Sequence, residues 1–213
     1  YAFCKSSIES LSIPSSVVEL EDYWCHDVVN LTNIEIIENG EKNVSLCNNN
    51  RYLIGKSNLN KNEFDVLLFA VRDITTAIIS GNITTINSHA FDNCKNLKRV
   101  EITIDSKLKK IGKYAFSKTG IESFTISPHI TQIEEGAFHS CSSLKTVKFH
   151  KDSKIRQISS HMFTYSSIES ILIPSTINYI RDDAFFNCKN LKTIEFEQNS
   201  QLHIIGSNSF SFL

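Results

Sequence analysis

Ile130-Thr131-Gln132-Ile133, Ala137-Phe138, Cys141, Leu144, Val147 and Phe149 form a phrase that the following stretch repeats as Ile155, Ile158, Met162-Phe163, Ile168, Ile171 and Ile173. Each unit holds an apolar pair three apart, a small-plus-Phe pair, and an apolar-x-x-apolar-x-apolar strand. The anchor Phe recurs at Phe69, Phe91, Phe116, Phe138, Phe163, Phe185 and Phe210, with Phe3 as an earlier copy and Cys25 in the same slot after it. From Phe69 onward the spacings alternate 22, 25, 22, 25, 22 and 25. The true repeat is therefore a 47-residue pair of coils, one short and one long.

A self-similar period of roughly 20–29 residues marks a leucine-rich-repeat solenoid. In each strand the core positions are i, i+3 and i+5, and the last two obey the period of 2 that a strand requires. Strands at 74–79, 97–102, 121–126, 144–149, 168–173 and 191–196 are expected to stack in parallel about 4.8 Å apart as one continuous sheet on the concave wall. The anchor Phe residues are expected on the other wall, in short helical or 3₁₀ turns such as 88–94. The expected class is an α/β repeat solenoid. All three prolines, Pro14, Pro128 and Pro174, fall just past the strands of short coils, where a missing N–H costs no ladder bond.

The period breaks once. Cys25 to Phe69 spans 44 residues, 19 more than a long coil. Asn-rich polar stretches there flank two β-prone runs, 51–55 and 65–69. We read residues 37–68 as a β-hairpin inserted into a single solenoid of residues 1–213, with 56–64 as its loop; the other reading is a disordered excursion. The hairpin is expected to rise beside the strand sheet. Both ends of the chain fall in mid-phrase, so it reads as an excerpt of a longer array.

Composition narrows the partners. A net charge of −1 offers no basic face for a phosphate backbone, which argues against nucleic acid. No apolar run approaches the ~20 residues that span a bilayer, so this segment is not expected to insert in a membrane. The six cysteines are not expected to form a disulfide framework. Cys94, Cys141 and Cys188 recur every 47 residues at one slot, and equivalent slots two coils apart lie roughly 10 Å apart, beyond the ~7 Å limit for bridging Cα atoms. They read as buried core thiols. The seven histidines show no His-Glu-x-x-His pattern, though His89 and His161 share a slot two before the anchor. No phosphate loop or nucleophile elbow occurs. No catalytic residue, metal ligand or cofactor is therefore assigned. Carboxylate pairs such as Glu134-Glu135 and Asp182-Asp183 read as surface charge.

Ile173-Pro174-Ser175-Thr176-Ile177-Asn178-Tyr179-Ile180, followed by Ala184-Phe185, Cys188 and Leu191-Lys192-Thr193-Ile194, resembles the BspA-like leucine-rich repeat family, and the likeness covers nearly the whole chain. Departures are Cys25 for the anchor Phe, Ser80 for the strand-ending Pro and Val28 for the Cys. The resemblance implies a surface antigen of the kind found on mucosal bacteria and protozoan parasites, with a role in adhesion and a place at the cell surface.

The residues flanking each middle core position face away from the core. They make the candidate binding face for a protein or glycan: Thr76/Ile78, Arg99/Glu101, Ser123/Thr125, Thr146/Lys148, Ser170/Leu172 and Thr193/Glu195, preceded by Ser10/Ser12 and Asn33/Glu35. The face is hydroxyl-rich, and Ile78 and Leu172 are apolar without being needed by the core. The expected function is a non-enzymatic binding scaffold. The alternative is an intracellular structural protein within a larger assembly, towards which the unpaired thiols tilt.

Overall fold

The computed structural model describes residues 1–60 and 62–213. Among them the elements are strands alone, in the order β1 (Ser10–Pro14), β2 (Asn33–Ile37), β3 (Val44–Cys47), β4 (Tyr52–Gly55), β5 (Val66–Ala70), β6 (Thr76–Ile79), β7 (Thr85–Ile86) and β8 (Arg99–Ile102). There follow β9 (Lys110–Ile111), β10 (Ser123–Ile126), β11 (Gln132–Ile133), β12 (Thr146–Phe149), β13 (Gln157–Ile158), β14 (Ser170–Ile173), β15 (Tyr179–Ile180), β16 (Thr193–Phe196) and β17 (Ile204–Ile205). The chain is a β-solenoid of about eight turns with a period of about 23 residues. The α component of the expected α/β class is absent from the described residues.

The backbone of the anchor turns shows why no helix forms there. In the turns from Phe91 onward, residues −2 and +2 from the anchor have positive φ: His89 and Asn93, Tyr114 and Lys118, Gly136 and Ser140, His161 and Tyr165, Asp183 and Asn187, Asn208 and Phe212. For a non-glycine residue this left-handed conformation costs roughly 1–2 kcal/mol, so something must offset it. The offset is a ladder between coils. The amides at −2, 0 and +2 donate to the next turn, as in Tyr114 to the Glu135 carbonyl (3.0 Å), Phe116 to Ala137 (2.8 Å) and Lys118 to His139 (2.8 Å). A helix would use these N–H groups within the turn; the solenoid uses them along its axis.

Inside this ladder the anchor rings form a column. Phe91, Phe116, Phe138, Phe163, Phe185 and Phe210 stack pairwise with centroids 5.0–5.7 Å apart and planes within 24°. The repeat thiols support the same axis, since Cys141 and Cys188 donate to the carbonyls of Phe116 and Phe163, each at 3.0 Å. All six cysteines are free.

Phe69 departs from its expected role. It is fully buried, but it lies within β5 and heads no anchor turn. Its ring meets Trp24 at 5.5 Å, and the Arg72 guanidinium sits 4.0 Å over it. Between residues 44 and 70 the chain makes an antiparallel meander, β3-β4-β5. Lys61, in the loop of the expected hairpin, lies outside the described residues. The meander extends the short-strand sheet, in the order β11-β9-β7-β5-β4-β3. The expectation that it rises beside the long-strand sheet is thus corrected. One link to that wall is the Tyr52 hydroxyl, which accepts from the Ile78 amide at 3.0 Å. The long-strand wall itself is three separate parallel pieces, β1-β2, β6-β8 and β10-β12-β14-β16, where one continuous sheet was expected. Tyr52 stands at the first break.

A candidate binding face and a buried polar cluster

The twelve candidate residues from Thr76 to Glu195 are all exposed, on alternate positions whose partners point inward. Parallel pairing aligns them in rows. Thr76 stands beside Arg99 and Ile78 beside Glu101 on one piece; Ser123, Thr146, Ser170 and Thr193 form a row on the other. Thr125 pairs with Lys148 and Leu172 with Glu195. Ile78 and Leu172 are 47% and 49% exposed. Arg99 and Glu101 approach within 3.7 Å in the open, an arrangement worth little to stability.

The break between β8 and β10 divides these residues into two groups, and sequence reasoning missed it. β8 and β10 do not pair; the Glu122 amide reaches the Lys98 carbonyl at 3.4 Å across the gap. A cleft of about 540 Å³ opens there, with Arg99, Val100 and Ile102 on one side and Ser123, Phe124 and Pro128 on the other. Two residues signal it. Phe124 occupies the middle core slot that holds Ala77, Val100, Val147, Ile171 and Ile194 in other coils. Its ring packs obliquely on Phe116 and Phe138, with centroids 5.6 and 4.9 Å away, and it lines the cleft together with Val100. Ile104 takes the slot that holds Lys151 and Gln198 in later long coils. It is fully exposed, and it lines both this cleft and an adjoining depression of about 470 Å³. Ile104 thus stands bare to solvent beside a cavity, at a slot that is polar in the later long coils.

On the turn side the Cys25 coil meets the Phe91 coil through side chains. The Asp27 amide donates to Asp92 Oδ2 at 3.3 Å, and Asn93 Nδ2 donates to Asp27 Oδ1 at 2.9 Å. His26 Nδ1, His89 Nδ1 and Asp92 Oδ2 lie 3.2–3.3 Å from one another. These three are the group among the described residues that could hold a metal ion. Burial alone would raise the Asp92 pKa; hydrogen bonds from His26 and His89 and the nearby Arg72 charge outweigh it and hold the carboxyl well below its usual range. Arg72 is itself buried, donating to the carbonyls of Val28 (2.9 Å) and Ala90 (3.0 Å). His89 and His161 share a slot two before the anchor but lie three coils apart. The fold pairs His89 with His26, because the insertion removes a regular turn and brings the Cys25 turn against the Phe91 turn.

The repeat signature extends across this whole architecture: the model of the BspA type leucine-rich repeat region matches residues 1–64, 62–192 and 156–213. The chain belongs to the BspA-type leucine-rich repeat family. Members of this repeat family are typically non-enzymatic scaffolds. No curated protein sequence matches the chain. Among solved structures, a leucine-rich repeat protein from Eubacterium ventriosum is 21% identical with a TM-score of 0.78, over 97% of this chain and 59% of that one. A leucine rich cell surface protein from Faecalibacterium prausnitzii is 21% identical with a TM-score of 0.59, over 97% of this BspA-type chain and 49% of its own. The pneumococcal vaccine antigen PcpA is 19% identical with a TM-score of 0.56, over 91% and 42%. The chain therefore spans about half the length of these proteins, and at such identities the likeness is one of fold. No helix among the described residues is long and apolar enough to cross a membrane.

Proposed function

We propose that this BspA-type protein is a non-enzymatic adhesin-like scaffold at the cell surface, binding a protein or glycan on its long-strand face with the β8/β10 cleft at the centre. The observation that carries the reading is Ile104, bare beside a cavity of about 540 Å³ in a face rowed with Ser, Thr, single charges and the exposed Ile78 and Leu172. Hydroxyls and the Arg99/Glu101 pair supply orienting contacts, while Ile78, Ile104, Leu172 and the cleft floor supply apolar area. Placement at the surface rests on the cell-surface and antigen proteins that share the fold.

The second reading, an intracellular structural role, is favoured by the six free thiols. Burial weakens that argument. It pushes the Cys25 and Cys141 thiols up to about 12, so they remain protonated and unreactive in an oxidising medium as well. Surface biotinylation of the native protein separates the two readings.

The binding test pairs Arg99→Glu and Ile104→Asp with the rim changes Lys113→Glu and Asp183→Lys, measured on a glycan array and by pull-down from host-cell extracts. Loss confined to the face pair supports the proposal. Loss confined to the rim pair places the binding surface elsewhere.

A further inference from the structure

We infer that His26, His89 and Asp92 form a zinc site that staples the solenoid across its insertion. Three ligands on a four-coordinate Zn²⁺ with bonds of about 2.0–2.1 Å lie about 3.3–3.4 Å apart, the edge of a tetrahedron. The three atoms here, His26 Nδ1, His89 Nδ1 and Asp92 Oδ2, are separated by 3.2, 3.3 and 3.2 Å. They make one face of such a tetrahedron, leaving the fourth position to water from the side of His26, which is 27% exposed.

Protons satisfy this triangle in one arrangement alone, with both imidazoles protonated at Nδ1 and each donating to Asp92 Oδ2. Each imidazole Nδ1 either carries one hydrogen or offers one lone pair. If both carry a hydrogen, the two N–H groups converge on Asp92 Oδ2 and crowd their nitrogens to 3.2 Å. If one is bare, its lone pair faces a carboxylate oxygen 3.2–3.3 Å away. A divalent cation that takes one lone pair from each atom makes all three approaches favourable. Asp92 also carries a second oxygen, Oδ1, that is wholly buried and without a partner, so the carboxylate can bind through either or both oxygens.

The surroundings support the His26 ring more than the His89 ring, whose Nε2 is buried without a hydrogen-bond partner. His26 Nε2 lies 3.5 Å from Asp27 Oδ2, the carboxylate–histidine relay that orients metal-bound imidazoles. Asp27 is held by Lys118 Nζ at 2.5 Å and by Asn93. The Tyr114 ring stacks on His89 at 5.5 Å and 8°, which fixes the imidazole plane. Lys118 and Arg72 offset the charges of Asp27 and Asp92, so the ion brings net positive charge and binds more weakly than at an all-anionic site. Two nitrogens and one oxygen favour zinc over the oxygen-seeking calcium and magnesium.

The location gives the site its purpose. Elsewhere a −2, 0, +2 amide ladder ties each turn to the next, but here the +2 amide, that of Asp27, reaches the Asp92 side chain. His26 and His89 are 63 residues apart, and the insertion lies between them. A metal clip that closes so long a loop in the folded state alone stabilises that state.

The test uses the full chain, freed of metal with a chelator and titrated with Zn²⁺ by calorimetry while Tm is followed; Co²⁺ serves as the spectroscopic probe. The expected result is one equivalent bound with a rise in Tm, and with Co²⁺ the intense visible absorption of four-coordinate nitrogen–oxygen ligation. His26→Gln, at a partly exposed ring, keeps the fold and removes one equivalent, the Tm rise and the Co²⁺ band. His129→Gln and His203→Gln, at exposed positions, leave all three in place. No Tm rise in the unmodified chain overturns the inference, as does a His26→Gln variant that still binds the same equivalents, or an equal Tm rise with Ca²⁺.

Discussion

Replacing Phe138 by alanine tests whether the ring column holds the solenoid together. Phe138 is fully buried, with Phe116 stacked 5.5 Å away at 4°, Phe163 at 5.7 Å and 15°, and Phe124 tilted at 4.9 Å. Emptying a packed phenylalanine site costs about 3–5 kcal/mol. Each lost ring pair adds about 0.5–1.5 kcal/mol beyond area, and three pairs are lost, which places this site at the upper end. At about 2–4 °C per kcal/mol for a chain of this size, Tm should fall by about 10–20 °C. Phe210, half-buried and stacked on Phe185 at 5.2 Å, is the internal comparison; its alanine variant should lose less than half as much.

The assay is urea unfolding combined with hydrogen exchange read coil by coil. Because coupling in a repeat array runs between neighbours, the turns of Phe116 and Phe163 should lose protection before the Cys25 and Phe210 turns do. A Phe138→Ala variant within about 1 kcal/mol of the unmodified chain would refute the column as the main source of cohesion. Equal loss of protection in every coil would refute the nearest-neighbour coupling.

Arg72→Ala strips hydrogen bonds from the Val28 and Ala90 carbonyls and a cation from over Phe69, and should cost about 3–5 kcal/mol in urea unfolding; Arg72→Lys should recover little of it, because one ammonium cannot span both carbonyls. Gly120→Ala would drive a Cβ into the Lys95 carbonyl, a backbone atom that cannot step aside, and should lower Tm through about 1–3 kcal/mol of strain. Cys25 and Cys141 have thiol pKa values raised from 9.0 to about 12 by burial, so their contribution to stability is complete below pH 9 and lost as pH climbs towards 12; unfolding free energies at pH 8 and pH 11 should differ in that direction, and a Cys141→Ala variant should show a shallower decline. Ile104→Asp should leave Tm unchanged, since its side chain is bare, while abolishing ligand capture.

Much of the fold was legible because a solenoid writes its packing into spacing. A residue that stacks on its own copies must recur at their interval, so the Phe column and the Cys slot could be counted from the sequence. What a period cannot state is where the amides go. The turn at 88–94 has the composition of a short helix, and the decision against it is made by the next coil's carbonyls, which repay left-handed φ at His89 and Asn93. Phe69 shows the converse limit. It keeps the period yet lies in a strand, because the meander before it supplies antiparallel pairing that an anchor turn would forfeit.

The candidate face was legible in outline, since alternation alone decides which side of a strand is wet. Its most distinctive feature was not, although the residues responsible were in plain view. Phe124 and Ile104 satisfy the general pattern of an apolar slot and a coil corner, and stand out when compared with their own repeat equivalents, Val147 or Ile171 and Lys151 or Gln198. In a repeat protein each coil is a control for the others. A position where one coil departs from its copies at no gain to the core marks selection for something outside the core. By that criterion Ile104, rather than Phe124 with its core contacts to Phe116 and Phe138, marks the β8/β10 cleft. We propose the cleft over the Ser123, Thr146, Ser170 and Thr193 row as the seat of ligand specificity. Exchanging Phe124 for Ile tests this directly. The smaller side chain should let β8 and β10 pair, close the cavity of about 540 Å³ and remove binding while the exposed rows stay unchanged. Binding that survives with the cleft closed would transfer specificity to the rows.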